Sequence, residues 1–164
     1  MTTPKPAAAS APQAGSPPES LSKARLRLWL KLLKASGQVE AALRRRLRSE
    51  FATTLPRFDV MAALSRAPDG LRMSEISERL RVSNGNITGI VDRLVEEGLA
   101  RRVAVPDDRR ATRARLTPQG QEDFARQAAS HEAWIDEMLS ALGAEDLHAL
   151  SGQLDRLLTR LEQE

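Results

Sequence analysis

The chain has 164 residues, 41% of them hydrophobic and 3% aromatic, and a formal net charge of +3 from 25 Lys/Arg against 22 Asp/Glu. That length suffices for one hydrophobic core and hardly for two. With no cysteine, disulfides, thiolate zinc sites and thiol switches are excluded; no stretch approaches the ~18 uninterrupted apolar residues of a spanning helix, and no apolar h-region of a secretion signal opens the chain, so a cytoplasmic protein is expected.

Residues 1–20 hold five of the nine prolines and little apolar bulk beyond alanine, which predicts a disordered tail. From Leu21 to about Ser49 the pattern is helical. Leu32, Val39, Leu43 and Leu47 keep one face, while Leu26, Leu28, Trp29, Leu30 and Leu33 make the first half apolar nearly all round, so it needs cover on several sides. "LPRFDVMAALSRAPDG" predicts a short helix, with Pro56 acceptable in its first turn and Pro68 and Gly70 ending it.

Two further short helices follow. In "MSEISERL", Ser74 is expected to accept a bond from a free first-turn N–H, and Glu75 and Glu78 sit near the positive helix end. "SNGNITGIVDRLVEEG" takes Ser83 as N-cap, places Ile87, Ile90, Val91 and Leu94 on one face, and ends at Gly98. Its first turns carry Asn84, Gly85, Asn86 and Thr88, small polar residues suited to the edges of bases. Two short helices in this order predict a helix-turn-helix, whose second helix enters the DNA major groove by its N-terminal part.

"ARRVAVPDDRRATRARLTPQG" alternates with period two on both sides of a turn: Val103 and Val105 before it, and Thr112, Ala114 and Leu116 interleaved with Arg113 and Arg115 after it. That is a hairpin. Pro106, Asp107 and Asp108 break the ladder and carry Arg109 and Arg110 to the tip, where arginine suits a narrow, electronegative minor groove and its flanking phosphates. An adjacent aspartate would orient the guanidinium.

Thr117 as N-cap and Pro118 at the first helical position begin a long helix with the stripe Phe124, Ala128, His131, Ile135, Met138 and Leu142, ending at Gly143. The final segment spaces Leu147, Leu150, Leu154, Leu157 and Leu161 alternately by three and four, as a heptad does. Such a seam wants a partner, either within the chain or in a second copy. Residues 1–80 hold 14 Lys/Arg against 7 Asp/Glu, residues 81–115 hold 8 against 5, and residues 116–164 hold 3 against 10. A basic front and an acidic back orient the molecule towards a polyanion, although runs such as Arg44-Arg45-Arg46-Arg48 also serve as solvated helix faces.

Together these residues resemble the MarR family of bacterial transcription regulators, over about Leu21 to Leu161. The wing "DDRRATRARLTPQG" follows that family's pattern of an acidic residue, arginine, a variable strand, Leu-Thr and then glycine, and "ITGIVDRLVEEGLARR" is similar to its recognition helix and exit. The resemblance implies that Arg110 is the minor-groove arginine and Asp108 its orienting partner, with Arg109 next in line. Gly89 departs from the pattern, standing where many members carry a basic or larger polar residue, and this bears on which operator is read. The cysteine-based peroxide sensing known among members has no residue to use here.

The expected fold is mainly α with a small β-hairpin wing: a tail over 1–20, an N-terminal dimerisation helix over 21–50, a winged helix-turn-helix over 51–118 and C-terminal dimerisation helices over 119–164. Candidate DNA-binding residues are Ser74, Ser83, Asn84, Asn86, Thr88, Arg93, Asp108, Arg109 and Arg110. The expected partners are double-stranded DNA, a second copy and a small effector. A symmetric dimer would present two recognition helices about one DNA turn apart, ~34 Å, and so calls for a pseudo-palindromic operator.

The resemblance also implies release from DNA by a small aromatic anion held between the dimer helices and the winged domain. "LPRFDVMAAL" looks like members that control aromatic-acid degradation, so the expected effector of this repressor is an aromatic carboxylate or its CoA thioester. Phe51 and Phe58 would be walls, Arg57 the carboxylate partner and Trp29 a stacking surface; core packing is the other reading of these aromatics. His131 either packs in the core or lines the pocket.

No catalysis, cofactor or metal is expected. His131 and His148 lie on different helices, and "HEAWID" lacks the second histidine of a zincin helix. The alternative from another class is a winged-helix protein-interaction module, which would not need both a polar reading helix and an arginine-tipped wing.

Overall fold

In a computed structural model, residues 20–105 and 108–163 are described, with the side chains of 105 and 108–111 left aside. Residues 1–19 of the expected disordered tail, Pro106 and Asp107 therefore lie outside the described residues. The elements are α1 (Leu21–Phe51), α2 (Leu55–Ser65), β1 (Leu71–Arg72), α3 (Met73–Leu80), α4 (Asn84–Glu96), β2 (Ala100–Val105), β3 (Asp108–Leu116), α5 (Pro118–Leu139) and α6 (Ala144–Leu161). The result is mostly helical with a small antiparallel sheet, as expected. By contact the chain divides into two units, Met1–Ser36 and Gly37–Glu164.

The described part of the first unit is the start of α1. The Lys23 N–H donates to Ser20 Oγ at 3.4 Å, occupying one of the orphan donors of the first turn. Leu26, Leu28, Trp29, Leu30 and Leu33 are exposed there.

In the second unit, the sheet and α2 to α4 enclose one core of Val60, Met61, Leu64, Ile76, Ile87, Val91, Leu94 and Leu116. This is the helical face expected of α4, with Leu94 and Val91 closed off completely. A second cluster joins Leu43 and Leu47 of α1 to Phe58 and Trp134. Trp134 is not in the expected α5 stripe; it falls on the same side, and its ring lies 6.1 Å from Phe51.

Several local expectations need correction. Ser74 does not cap α3: the N-cap is Arg72, whose backbone N–H donates to Glu75 Oε2 at 2.6 Å. Glu75 reaches back from the third helical position, so a carboxylate takes the role expected of the neighbouring hydroxyl. Ser83 does precede α4 as its N-cap, without a side-chain hydrogen bond. The long helix α5 stops at Leu139, and Gly143 is the N-cap of α6 rather than the terminator of α5.

The hairpin gains a third strand, because Leu71 pairs with Ala114 and Arg72 with Arg113, giving the order β1-β3-β2. Two residues are too few to show a periodicity, which is why only their partner reveals them. Gly70, at φ +82°, makes this approach: a Cβ there would come 2.6 Å from the Ala114 carbonyl oxygen.

Candidate nucleic-acid interface

The turn between α3 and α4 is tight because Arg81 adopts the left-handed conformation, φ 53°. Its N–H donates to Glu78 O at 3.3 Å, and that of Val82 to Ser77 O at 3.1 Å. Both carbonyls belong to the end of α3, where intrahelical donors run out. α4 then starts at once, with its apolar face buried and Ser83, Asn84, Gly85, Asn86, Gly89 and Arg93 exposed. A Cβ on Gly85 or Gly89 would meet nothing within 4 Å. The outward surface of the first two turns is thus small, polar and unobstructed.

Thr88 is less available than its neighbours, being half-buried, with its hydroxyl donating to Asn84 O at 3.0 Å. Its oxygen keeps only acceptor capacity. Ser74 is exposed on α3. On the far side, Asp92 accepts from Arg102 at 2.6 Å and ties α4 to β2.

Asp108, Arg109 and Arg110 open β3, and their side chains lie outside the described residues. What the alternation did not disclose is how many arginines share one face of the sheet. Arg72 and Val103 pair with Arg113 and Arg101 pairs with Arg115, so Arg72, Arg101, Arg113 and Arg115 face the same way, opposite the buried Leu71, Ala100, Ala114 and Leu116. Arg113 and Arg115 are half-buried, and their Nε atoms are closed off with no hydrogen-bond partner among the described residues. Arg113 and Arg115 were legible in the period-two pattern, whereas Arg72 needed the third strand.

Of the residues expected to hold an effector, Phe51 and Arg57 line one cavity, and Phe58 and His131 stack on each other. Phe58 stacks on His131 with centroids 4.7 Å apart and packs 5.5 Å from Phe124, which makes all three part of the core wall. Arg57 is bidentate on Glu97, with Nη1 donating to Oε1 at 2.6 Å and Nη2 to Oε2. This bond raises the Arg57 pKa above its ordinary value and lowers that of Glu97. Trp29 is 55% exposed in the first unit.

A crevice of about 410 Å³ lies beside α4. Arg44 and Arg48 of α1, Thr54, Pro56, and Asn86 and Ile90 of α4 line it. No run of sequence brings these together: Arg44 lies on α1 and Asn86 on α4, 42 positions apart.

Behind this surface, burial pushes His131 below the usual imidazole range, partly offset by the Asp59 charge. Asp59 is pushed up, chiefly by burial, with His131 and Arg44 opposing and Glu40 adding to the shift. Among the described residues, no group of three or more His, Asp or Glu is placed to hold a metal ion, and no helix is long and apolar enough to cross a membrane.

The MarR family's sequence model matches residues 53–111, from the α1–α2 junction into the wing. Similar proteins include the HTH-type transcriptional regulator MhqR of Bacillus subtilis, 34% identical over 85 residues, which are 52% of this chain and 59% of that protein. Another is the HTH-type transcriptional regulator PecS of Dickeya dadantii, 30% identical over 115 residues, 67% of this chain and 69% of that one. Among solved structures, a MarR family transcriptional regulator from Silicibacter pomeroyi is 33% identical with a TM-score of 0.73, and the match covers 88% of this chain and 99% of that one. The matched stretch thus falls short of two thirds of the length of MhqR.

Proposed function

The chain belongs to the MarR family of winged-helix transcriptional regulators, and on that premise we propose that it is a homodimeric, sequence-specific DNA-binding repressor released by a small aromatic anion. The observation that carries the DNA reading is the outward surface of α4: exposed Ser83, Asn84, Asn86 and Arg93 beside Gly85 and Gly89, with open space around both glycines. Base edges are read by such short donors and acceptors where the backbone approaches closely. Family resemblance assigns Arg110 to the adjoining minor groove, with Asp108 as its orienting partner and Arg109 as the next candidate. The arginines of the sheet, Ser74, and Arg81 at the turn supply phosphate contacts, which position the protein without reading sequence.

Self-association is supported by α6. None of its residues is buried, and Leu147, Leu150, Leu154, Leu157 and Leu161 are each 42–55% exposed along one seam. A contiguous leucine stripe of this kind marks a protein interface, and a second copy supplies the same stripe by two-fold symmetry. The apolar start of α1 is covered in the same way. In domain terms, residues 51–118 read DNA and the flanking helices dimerise.

The effector, an aromatic carboxylate or its CoA thioester, is assigned to the crevice beside α4, where Arg48 offers a cationic end, Arg44 is shared with Glu40 through its Nε and Nη2, and Leu55, Pro56 and Ile90 are apolar. Asn86 lies on both the crevice and the reading surface. An anion bound there favours one position of α4 and couples to DNA by its differential affinity for that position.

The test is fluorescence-anisotropy binding to the intergenic DNA beside the protein's own gene, against scrambled DNA of equal length, over a salt series. Nanomolar binding that beats the scramble by at least ~10³ is expected. No binding to either DNA would replace this reading by that of a protein-interaction module.

A further inference from the structure

A second cavity, of about 390 Å³, lies where the end of α1, the start of α2, the exit of α4 and the first half of α5 meet. It shares no residue with the arginine-lined crevice. Among the described residues, Thr53 and Gln127 are the two buried polar ones, 6% and 3% exposed, and both line this cavity. Thr53 Oγ1 and Gln127 Oε1 have no hydrogen-bond partner among the described residues. Unpaired buried polar atoms are rare in folded proteins, and two of them on residues that line one cavity point to something that pairs with them when the lining yields.

The chemistry of that something follows from what is already used. The Gln127 amide is oriented by its Nε2, which donates to Asp123 Oδ2 at 2.7 Å, so Oε1 is the acceptor left over. Thr53 is held by its backbone N–H, which donates to Leu47 O at 3.2 Å, and its hydroxyl can accept as well as donate. The Arg57 guanidinium is taken up by Glu97, while Asp123 adds a second carboxylate to the lining. Arg126, the ion-pair partner of Asp123, points outward with a side chain 74% exposed. The lining is therefore rich in acceptors and carries more carboxylate than cation. Phe51 and Leu99 provide apolar walls.

We propose that this cavity binds a small organic cation, an ammonium or amidinium on a compact apolar body. Its N–H groups donate to Gln127 Oε1, Thr53 Oγ1 and the Asp123 carboxylate, while its body lies against Phe51 and Leu99. A volume of this size suits a ligand of one ring. The cation selected here has the opposite charge to the effector of the arginine crevice, so the two sites accept different molecules. This inference stands on the cavity alone and does not require DNA binding.

The experiment titrates the full chain with benzamidine, followed by amide NMR, with sodium benzoate and benzamide at equal concentrations as the anionic and neutral comparisons. Benzamidine is expected to bind in the millimolar range and to shift the resonances of Thr53, Leu99 and the Gln127 side chain, with neither comparison doing so. Thr53→Val and Gln127→Leu should each weaken it about tenfold, the value of one hydrogen bond removed. Thr53→Ser, which keeps the hydroxyl, should stay close to the parent, and thermal melts confirm that each variant is folded. Resonances unmoved by benzamidine, equal shifts by benzoate or benzamide, or undiminished binding by a folded Thr53→Val variant would overturn the proposal.

Discussion

Gly120 lies directly against the backbone of Leu99: a Cβ at 120 would overlap the Leu99 carbonyl oxygen and come 2.8 Å from its carbonyl carbon. The same carbonyl accepts the Thr117 N–H at 3.0 Å. Thr117 Oγ1 donates to Gly98 O at 2.7 Å and accepts from Gly120 N at 3.0 Å. The exit of α4, the end of β3 and the first turn of α5 are thereby locked at one point. This is the physical content of the Leu-Thr-x-x-Gly pattern that ends the wing.

Gly120→Ala should accordingly destabilise the protein, because neither backbone can yield without breaking the Thr117 bonds. The expected loss is about 2–3 kcal/mol, in the range of overpacking a closed site. Urea denaturation of the variant beside the parent measures it; an unchanged midpoint would refute the close approach.

Gly89→Ala should do the opposite in the free protein. Its Cβ would enter open space on α4, so the helix gains about 1 kcal/mol from propensity alone. On DNA the added methyl intrudes on the reading surface, and specific affinity should fall several-fold while the melting temperature rises. A variant that gains stability and binds operator unchanged would place Gly89 away from the groove.

Asn84→Ala and Asn86→Ala should each relax the preference at particular bases, by about 1–3 kcal/mol where a good hydrogen bond to a base edge is removed. Arg110→Ala should weaken binding with a modest change in sequence preference. Competition anisotropy with a panel of single-base operator variants separates the two behaviours. Full binding by all three variants would contradict the groove assignments.

The Arg57–Glu97 pair joins α2 to the C-terminal end of α4, with side chains 19% and 49% exposed. Arg57→Met, which keeps the stem, should cost about 1 kcal/mol after allowance for solvent screening at Glu97. Because the folded pKa of Glu97 is depressed, the pair's contribution is present above the ordinary glutamate range and lost as pH falls through the folded value. Melts of parent and variant should converge at low pH.

His131 carries a separate pH dependence. Burial depresses its folded pKa, so the unfolded chain binds more protons near pH 6 and stability should fall as pH drops below about 6.5. Asp59, raised by burial, works the other way: its folded state binds the extra proton, so acidification above the ordinary aspartate range recovers some stability. His131→Phe, which preserves a ring against Phe58, should remove the loss between about pH 7.5 and the folded histidine pKa in thermal melts.

The sequence by itself determined those features whose cause is local. Helix α4 was legible because Ser83, the buried face of Ile87, Val91 and Leu94, and Gly98 at φ +74° all act within one stretch of chain. The start of α5 at Thr117 and Pro118 was legible for the same reason. Tertiary structure alone decided what depends on distant partners. The two-residue β1 exists only because β3 offers it an edge, and that pairing places Arg72 on the arginine face. Arg57 met Glu97, forty positions away, and took a partner that composition could not assign. Arg44 and Asn86 line one crevice, and Thr53 and Gln127 another, because side-chain meetings across helices are fixed by packing. Periodicity reports which face of a helix is buried; it does not report which residue of another element lies across from it.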